Sequence, residues 1–193
     1  MAVIVPPTEP VLVTERLELW VPARGDVAAM SAIVADPETG RFLGGAGNKA
    51  EDFTRFCRNA GSWLLYGYGS FMVRWRGTAD VLGNCGIFHS WRGLGDDFDD
   101  SPEAGWILRH DVACQGVARE AMEAALTWFA AEHGRQRIVC MIAPGNAPSL
   151  RLAERLGFEP FRDARLPDED EVRLLARDGS AGDAQPLRSP AAS

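Results

Sequence analysis

A strand, a short loop with one glycine, a helix and a second strand follow one another between residues 103 and 143. Residues 103–109 alternate as a strand does, and residues 117–133 repeat apolar side chains at helical spacing. Residues 137–143 form a continuous apolar run, which is typical of a strand covered on both faces. Two strands joined through a helix lie parallel in one sheet. This unit predicts an α/β fold with a mixed sheet and helices on its faces.

Further strands and helices are expected around this unit. Apolar patterns predict strands at 11–21, 69–75, 81–89, 158–162 and 172–176. Helices are predicted after a cap at Asp26, over 50–65 and between Asn146 and Gly157. The second of these helices carries Phe53, Phe56 and Cys57 on one side. Segments 42–48 and 91–101 are expected to be loops.

The composition of the 193-residue chain narrows its class. A net charge of −7 and the lack of a basic stripe argue against nucleic acid as a partner. No apolar run approaches the roughly 18 residues of a membrane span. We therefore expect no membrane partner and a cytoplasmic location. The 4 cysteines and 3 histidines are scattered, which predicts reduced thiols and no metal site.

The length predicts one domain over residues 11–177, with an N-terminal extension at 1–10 and a disordered tail at 178–193. Acidic residues cluster within 96–103 and 168–171. Such clusters form solvated loops, or they attract a cationic substrate to the rim of a site. The sequence leaves both interpretations open.

Residues 112–118, between the first strand and the helix of the central unit, are the candidate binding loop. A helix start leaves backbone N–H groups without partners and adds partial positive charge. The small residues Gly116 and Ala118 let a bulky anion approach these donors, so the loop predicts a phosphate cradle. The alternative is an ordinary turn with glycine chosen for backbone freedom. The other common phosphate loops, GxxxxGK[ST] and GxGxxG before a helix, are missing.

Three motifs in combination resemble a known superfamily. They are Glu103-Ala-Gly-Trp-Ile-Leu, then Gln115-Gly-Val-Ala-Arg-Glu-Ala, then Asn146-Ala-Pro-Ser-Leu-Arg-Leu-Ala-Glu-Arg-Leu-Gly-Phe. Together they are similar to the GCN5-related N-acetyltransferases (GNAT), and more narrowly to the branch of ribosomal-protein N-terminal acetyltransferases. Thr14-Glu-Arg-Leu17 and Val81-Leu-Gly83 also look like parts of that branch. The resemblance spans residues 11–177 and implies a GNAT-like fold.

The resemblance also implies an activity and its site. The activity is direct transfer of an acetyl group from acetyl-CoA to a primary amine, without a metal. The backbone of Gln115, Gly116, Val117, Ala118 and Arg119 would hold the pyrophosphate. Leu108, Arg109 and His110 would line the pantetheine arm with main-chain groups, and one N–H there would polarise the thioester carbonyl. Asn146 would contact the pantetheine, and Ser149 would protonate the leaving thiolate.

Glu103 is the candidate general base, because its strand leads directly to the binding loop. Burial beside Trp106 and other acidic groups would raise its pKa toward the range suited to base work. Each assignment has a structural alternative. Glu103 would be a solvated strand-start residue, Ser149 and Asn146 would be helix-capping residues, and His110 a surface loop residue.

The loop departs from the family pattern at Ala113, Cys114 and Gln115, where relatives commonly carry Arg, Gln or Trp, then Gly, then a basic residue. Arg119 and Arg151 are candidates to supply the missing positive charge. A non-catalytic acyl-CoA-binding module is the alternative function. A third hypothesis makes Cys114 an acyl-carrying nucleophile at the helix start.

The acceptor is left open between a protein N-terminus and a small cationic amine such as a polyamine or an aminoglycoside. An α-amino group loses its proton more readily than a lysine side chain, which favours an N-terminus or an amino-acid-like amine. The oligomeric state is not set by the sequence, although a homodimer is the commonest assembly.

Overall fold

The computed structural model of the protein describes residues 8–43, 49–166 and 170–179. Its strands are β1 (Leu12–Val13), β2 (Leu17–Trp20), β3 (Ser70–Trp75), β4 (Val81–Phe88), β5 (Glu103–Leu108), β6 (Ile138–Ile142), β7 (Glu159–Arg165) and β8 (Glu171–Arg177). They form one sheet in the order β1-β2-β3-β4-β5-β6-β8-β7. Neighbouring strands are antiparallel except β5 and β6, which are parallel. The predicted mixed sheet and its parallel crossover are thus confirmed.

Helices cover both faces of this sheet. They are α1 (Val27–Ala35), α2 (Pro37–Gly40), α3 (Lys49–Tyr66), α4 (Asp96–Asp99), α5 (Val117–His133) and α6 (Ala147–Arg155). Within the described ranges, no helix combines the length and apolar character that crossing a bilayer needs.

Alternation along the strands divides the core between the two faces. Phe71 and Val73 pack in one cluster with the apolar stripe of α5, including Met122 and Phe129. Met72, the residue between them, belongs to a second cluster with α1. On β5, Trp106 and Leu108 likewise contact the first cluster, whereas Ile107 contacts the second. The β5 strand therefore presents Ile107 to the face that α1 and α3 cover.

Three local predictions need correction. The strand expected at 11–21 is divided into β1 and β2 by a turn in which Thr14 donates its N–H to the Leu17 carbonyl (2.9 Å). The loop expected at 91–101 contains the short helix α4. Asp26 does not cap α1 through its side chain, because its carboxylate accepts the Ala23 N–H and pairs with Arg74.

The buried side of α3 also differs from the prediction. Phe53 and Cys57 are exposed, and the fully buried residues of this helix are Asn59 and Ser62. Of the three residues predicted to share one side, Phe56 alone packs against a core cluster, and the polar residues Asn59 and Ser62 were not predicted to be buried. The Ser62 hydroxyl donates to the Tyr68 carbonyl at 2.7 Å.

Some expectations fall on residues that the structure does not describe. They concern most of the N-terminal extension (1–7), part of the glycine-rich loop (44–48), the second acidic cluster at Asp168 and Glu169, and most of the C-terminal tail (180–193). These stay predictions.

Candidate active site

The parallel strands β5 and β6 meet at one point and then separate. In the described chain, Glu103 and Val139 are their one residue pair, and the Val139 N–H donates to the Pro102 carbonyl at 2.9 Å. No further pair forms toward the carboxyl ends of these two strands. A gap therefore opens between the strands, closed at Glu103 and open at Leu108.

Backbone groups of β5 face this gap, and no partner for them lies among the described residues. Successive residues of a paired strand direct their N–H and C=O groups to opposite sides. Arg109 donates its N–H to the Leu82 carbonyl on the β4 side (2.8 Å), and Pro102 directs its carbonyl to β6. By this alternation Trp106 and Leu108 direct their N–H and C=O groups into the gap. Buried or half-buried backbone groups of this kind need a partner.

Of the three residues predicted to line a pantetheine arm, Leu108 alone has a backbone N–H on the gap side. The Arg109 N–H is used in the sheet, and the His110 N–H donates to the Thr39 hydroxyl at 3.0 Å. Trp106, whose backbone faces the gap two residues before Leu108, was not among the predicted lining residues. Backbone groups alternate along a strand just as side chains do, so Trp106 could have been predicted from Leu108, two residues later.

The helix α5 begins with an open N-terminus near the open end of β5. Gly116 occupies the N-cap position in the left-handed region, with φ of 78°, and it has no side chain that could cap the helix. The Glu120 N–H donates to the Gly116 carbonyl at 3.0 Å, which leaves the N–H groups of 117–119 without helical partners. Gln115 turns its side-chain amide to the Asp111 carbonyl (2.9 Å). The structure thus presents a row of free donors where the sequence predicted a phosphate cradle.

A brace from the N-terminal hairpin holds this helix start. The Glu120 carboxylate accepts the Thr14 hydroxyl (2.6 Å) and the Arg16 Nε (2.7 Å). The Arg16 guanidinium also donates to the Gln115 carbonyl at 3.1 Å. Arg16 therefore lies at the helix start, where Glu120 partly compensates its positive charge. Sequence reasoning proposed Arg119 and Arg151 as the source of positive charge and missed Arg16, although it lies in the quoted Thr14–Leu17 motif.

Arg119 lies in the first turn of α5, but its Nε donates to Glu123 at 2.7 Å on the exposed side of the helix. Its charge is thus partly compensated by a neighbour one turn away. Arg151 lies exposed on α6.

Ser149 and Asn146 are brought together at the start of α6. The Asn146 Oδ1 accepts the Ser149 N–H at 3.2 Å, so Asn146 caps this helix. The Ser149 Oγ accepts the indole N–H of Trp106 at 3.1 Å. This contact spans from β5 to the helix that follows β6, and it leaves the Ser149 hydroxyl proton for another acceptor.

Glu103 lies at the closed end of the gap and is almost fully buried, with 4% of its side chain exposed. Both of its oxygens accept from Arg92, at 2.9 Å from Nε and 2.8 Å from Nη2. Burial raises the pKa of Glu103 above its ordinary value, while Arg92 and the nearby Arg58 oppose that shift. Glu103 is therefore a buried ion-pair residue rather than the solvated strand-start residue of the structural alternative.

Three acidic residues of the segment before β5 are held by contacts within the protein. The Asp99 carboxylate accepts three backbone N–H groups, from residues 92–94. Asp97 pairs with Arg162 through two hydrogen bonds, which hold the pKa of Asp97 below its ordinary value. Glu103 pairs with Arg92. These three residues therefore organise the loop, whereas Asp96 and Asp100 are exposed and leave negative charge on its surface.

The contacts of the described residues give little support to Cys114 as a nucleophile or to a metal site. Cys114 is exposed and takes a left-handed φ of 61°, but no histidine or carboxylate among the described residues is hydrogen-bonded to it. Cys85 and Cys140 are buried, and burial raises the pKa of both thiols above the ordinary value. No group of three or more His, Cys, Asp or Glu side chains within the described ranges is placed to hold a metal ion.

Residues 16–159 match the family model described as the acetyltransferase (GNAT) domain, which is most of the chain. The chain belongs to the GNAT acetyltransferase family. An acetyltransferase of the GNAT family from Bordetella pertussis has the same fold with a TM-score of 0.76 and 33% identity, covering 86% of this chain and 98% of that one. An acetyltransferase from Agrobacterium tumefaciens str. C58 follows with a TM-score of 0.75, 26% identity, and coverage of 91% and 98%.

This GNAT acetyltransferase also shares its fold with the ribosomal L7/L12 α-N-protein acetyltransferase RimL, solved in complex with coenzyme A. The TM-score is 0.68 at 17% identity, over 88% of this chain and 98% of RimL. At this identity the likeness concerns the fold. The enzyme class predicted from sequence, an acyltransferase, is confirmed by the family.

Proposed function

We propose that this GNAT acetyltransferase moves an acetyl group from acetyl-CoA directly to a primary amine. The observation that carries the proposal is the gap between β5 and β6, edged by free backbone groups of β5 and adjoining the open start of α5. RimL, which shares the fold, binds coenzyme A, and this supports the choice of ligand. Acetyl-CoA supplies the acetyl group as an activated thioester.

The helix start fits a diphosphate because it offers donors without a competing cap. The N–H groups of 117–119 and the helix dipole favour an anion there. Gly116 takes a left-handed φ of 78°, which L side chains rarely adopt, and its lack of a Cβ leaves the backbone N–H groups accessible. Residues 115–119 and Arg16 would thus hold the pyrophosphate. The N–H of Leu108 or of Trp106 would polarise the thioester carbonyl.

Asn146 and Ser149 would act on the thiol side of the reaction. Asn146 keeps its side-chain NH₂ available, because its Oδ1 serves the helix cap. Ser149 is held by Trp106 with its hydroxyl proton free, which suits donation to the departing thiolate. Asn146 would cap α6 with its oxygen and contact the pantetheine with its NH₂ group at the same time.

Glu103 would take the proton from the attacking ammonium. Each carboxylate oxygen has a second acceptor position beside the one used by Arg92. A carboxylate with a raised pKa is closer to the optimum for a general base near neutral pH. The Arg92 pair also favours the alternative function, a non-catalytic acyl-CoA-binding module, because it compensates the charge that a base needs.

A turnover assay separates these two functions. Free coenzyme A is measured after mixing protein and acetyl-CoA with single amines, and binding is followed in parallel by the thermal shift that coenzyme A produces. Amine-dependent release supports the transferase. A thermal shift with no release for any amine supports the binding module, and no shift at all overturns the ligand assignment. Cytoplasmic residence and a homodimer stay predictions.

Ser149→Ala is expected to lower kcat about tenfold and to leave the KM for acetyl-CoA within about twofold. The effect is modest because a thiolate with a pKa near 8.5 is a tolerable leaving group. The cap survives, since it uses the Ser149 backbone N–H. Trp106→Phe removes the indole donor and should lower kcat by a smaller factor. Steady-state kinetics test both, with the exposed Thr127→Ala as control, and unchanged kcat in Ser149→Ala would remove the acid role.

A further inference from the structure

A cavity of about 640 Å³ lies between α1 and α3, outside the gap that carries the proposed thioester chemistry. Its floor is formed by Asn84 of β4 and Ile107 of β5, which are paired across the sheet. Ile107 lies between Trp106 and Leu108, whose backbone groups face the gap. The cavity floor is therefore directly beside the strand edge where the acetyl group would be presented.

Polar atoms enclosed at this cavity have no partners. Among the described residues that line it, the Asp52 Oδ1, Arg55 Nη1 and Asn59 Oδ1 are buried and make no hydrogen bond. Asn59 is 8% exposed. An enclosed polar atom without a partner costs about 1–3 kcal/mol, so the Arg55 Nη1 and the Asn59 Oδ1, a donor and an acceptor one helical turn apart, indicate a polar occupant.

The lining also has an excess of positive charge. Its described charged residues are Arg24, Lys49 and Arg55 against Asp52 alone. Arg55 is oriented by a hydrogen bond from Nη2 to the Leu43 carbonyl (3.1 Å), which leaves Nη1 unpaired. Such a lining disfavours a polycation and favours a ligand that carries an anionic group.

We propose that this cavity binds the acceptor, and that the acceptor is a free α-amino acid with an apolar side chain. Arg55 and Asn59 are one helical turn apart, with Cβ atoms about 5–6 Å from each other. The unpaired Arg55 Nη1 donates to the carboxylate, and the unpaired Asn59 Oδ1 accepts from the adjacent amino group. Met30, Phe56 and Ile107 provide the apolar walls for the side chain.

The orientation follows from the helix. Ser62, three residues after Asn59, accepts the His89 N–H at 3.0 Å, and Phe88 pairs with Glu103 across the sheet, so the later turns of α3 lie nearer to Glu103. The amino group is therefore the end of the ligand nearer to the candidate base, and the carboxylate is the end nearer to the start of α3. This inference rests on the proposed function, since it names the acceptor of the same reaction.

The test compares matched amines. Leucine, methionine and phenylalanine are each assayed against the amine that lacks the carboxylate, namely isopentylamine, 3-(methylthio)propylamine and 2-phenylethylamine. For at least one pair, we expect the amino acid to have a kcat/KM at least tenfold higher. Arg55→Met should reduce that ratio to about one by lowering only the amino-acid rate. Arg76→Gln, which removes one exposed positive charge elsewhere, should leave the ratio unchanged.

Calorimetry tests amino-acid binding to the cavity independently of acetyl transfer. Each amino acid is titrated into the protein alone and into protein saturated with coenzyme A. Binding that Arg55→Met weakens at least tenfold supports the cavity assignment even if no acetyl transfer is seen, in which case the proposed function fails by itself. Equal or better turnover of the decarboxylated amines, of spermidine or of a dipeptide overturns the assignment, and so does the lack of binding by all three amino acids.

Discussion

Ala118→Asp is expected to weaken coenzyme A binding by at least about 100-fold while the protein stays folded. The new carboxylate would stand among the free N–H groups at the start of α5, where the diphosphate is proposed to bind. Two unit charges about 4 Å apart repel by roughly 4 kcal/mol at an effective dielectric constant near 20. An acidic residue in the first helical turn also stabilises the helix by about 0.3–1 kcal/mol. Calorimetric titration with coenzyme A measures the loss.

Two variants act as controls for this experiment. Ala118→Ser keeps a small neutral residue at the same position and should retain affinity within a few-fold. Ala131→Asp adds the same charge to the exposed last turn of α5, far along the helix from its start, and should bind as the parent protein does. Unchanged affinity in Ala118→Asp would show that the phosphate groups are held elsewhere.

Glu103→Gln is expected to lower kcat about 100-fold, the usual range for loss of a general base. Burial raises the pKa of Glu103, so the parent enzyme should lose kcat/KM as the pH falls through that raised value. The variant should lack this acidic limb. A pH profile of kcat/KM for both proteins tests the assignment, and an identical limb in both would assign it to another group.

The free energy of unfolding of this variant is measured as well, because Glu103→Gln leaves the Arg92 charge without its buried partner. Arg92 keeps 16% of its side chain exposed, so solvent lowers the cost below the roughly 3–5 kcal/mol of breaking a fully buried pair. The raised pKa of Glu103 in the folded state means that its contribution to stability is greatest at acidic pH and is lost as the pH rises from the ordinary glutamate value. Asp97→Asn breaks an exposed pair in the same loop, should cost at most about 1 kcal/mol, and should leave kcat unchanged.

The sequence was sufficient to predict the framework of the site. Periodicity placed the helix at 117–133, which agrees with α5, and the continuous apolar run placed β6 beside β5. The open helix start followed from Gly116 and from general rules on helix ends. These features depend on residues close to one another in the chain, and local patterns therefore carry them.

Contacts between distant segments were not predictable in this way. The pairs Arg92–Glu103 and Arg16–Glu120 join residues 11 and 104 positions apart, and no spacing rule identifies them. The burial of Asn59 and Ser62 on α3 was not predicted, because an apolar pattern does not mark polar residues that face the sheet. Asn59 and Arg55 acquire their significance only from the cavity that α1 and the sheet complete around them.

The single contact between β5 and β6 has a consequence for how this protein fluctuates. A ladder with one pair at that point joins two halves of the sheet, β1–β5 and β6–β8. One face of the second half has its own apolar cluster around Phe98, Val139 and Leu174, and its other face shares the main core. Amide hydrogen exchange should therefore report two protection levels on either side of Glu103. A ligand that lies between β5 and β6 and forms hydrogen bonds with both would slow amide hydrogen exchange in the less protected half of the sheet. The two halves of the sheet are thus joined by one backbone pair between β5 and β6 and by the side-chain packing of the main core.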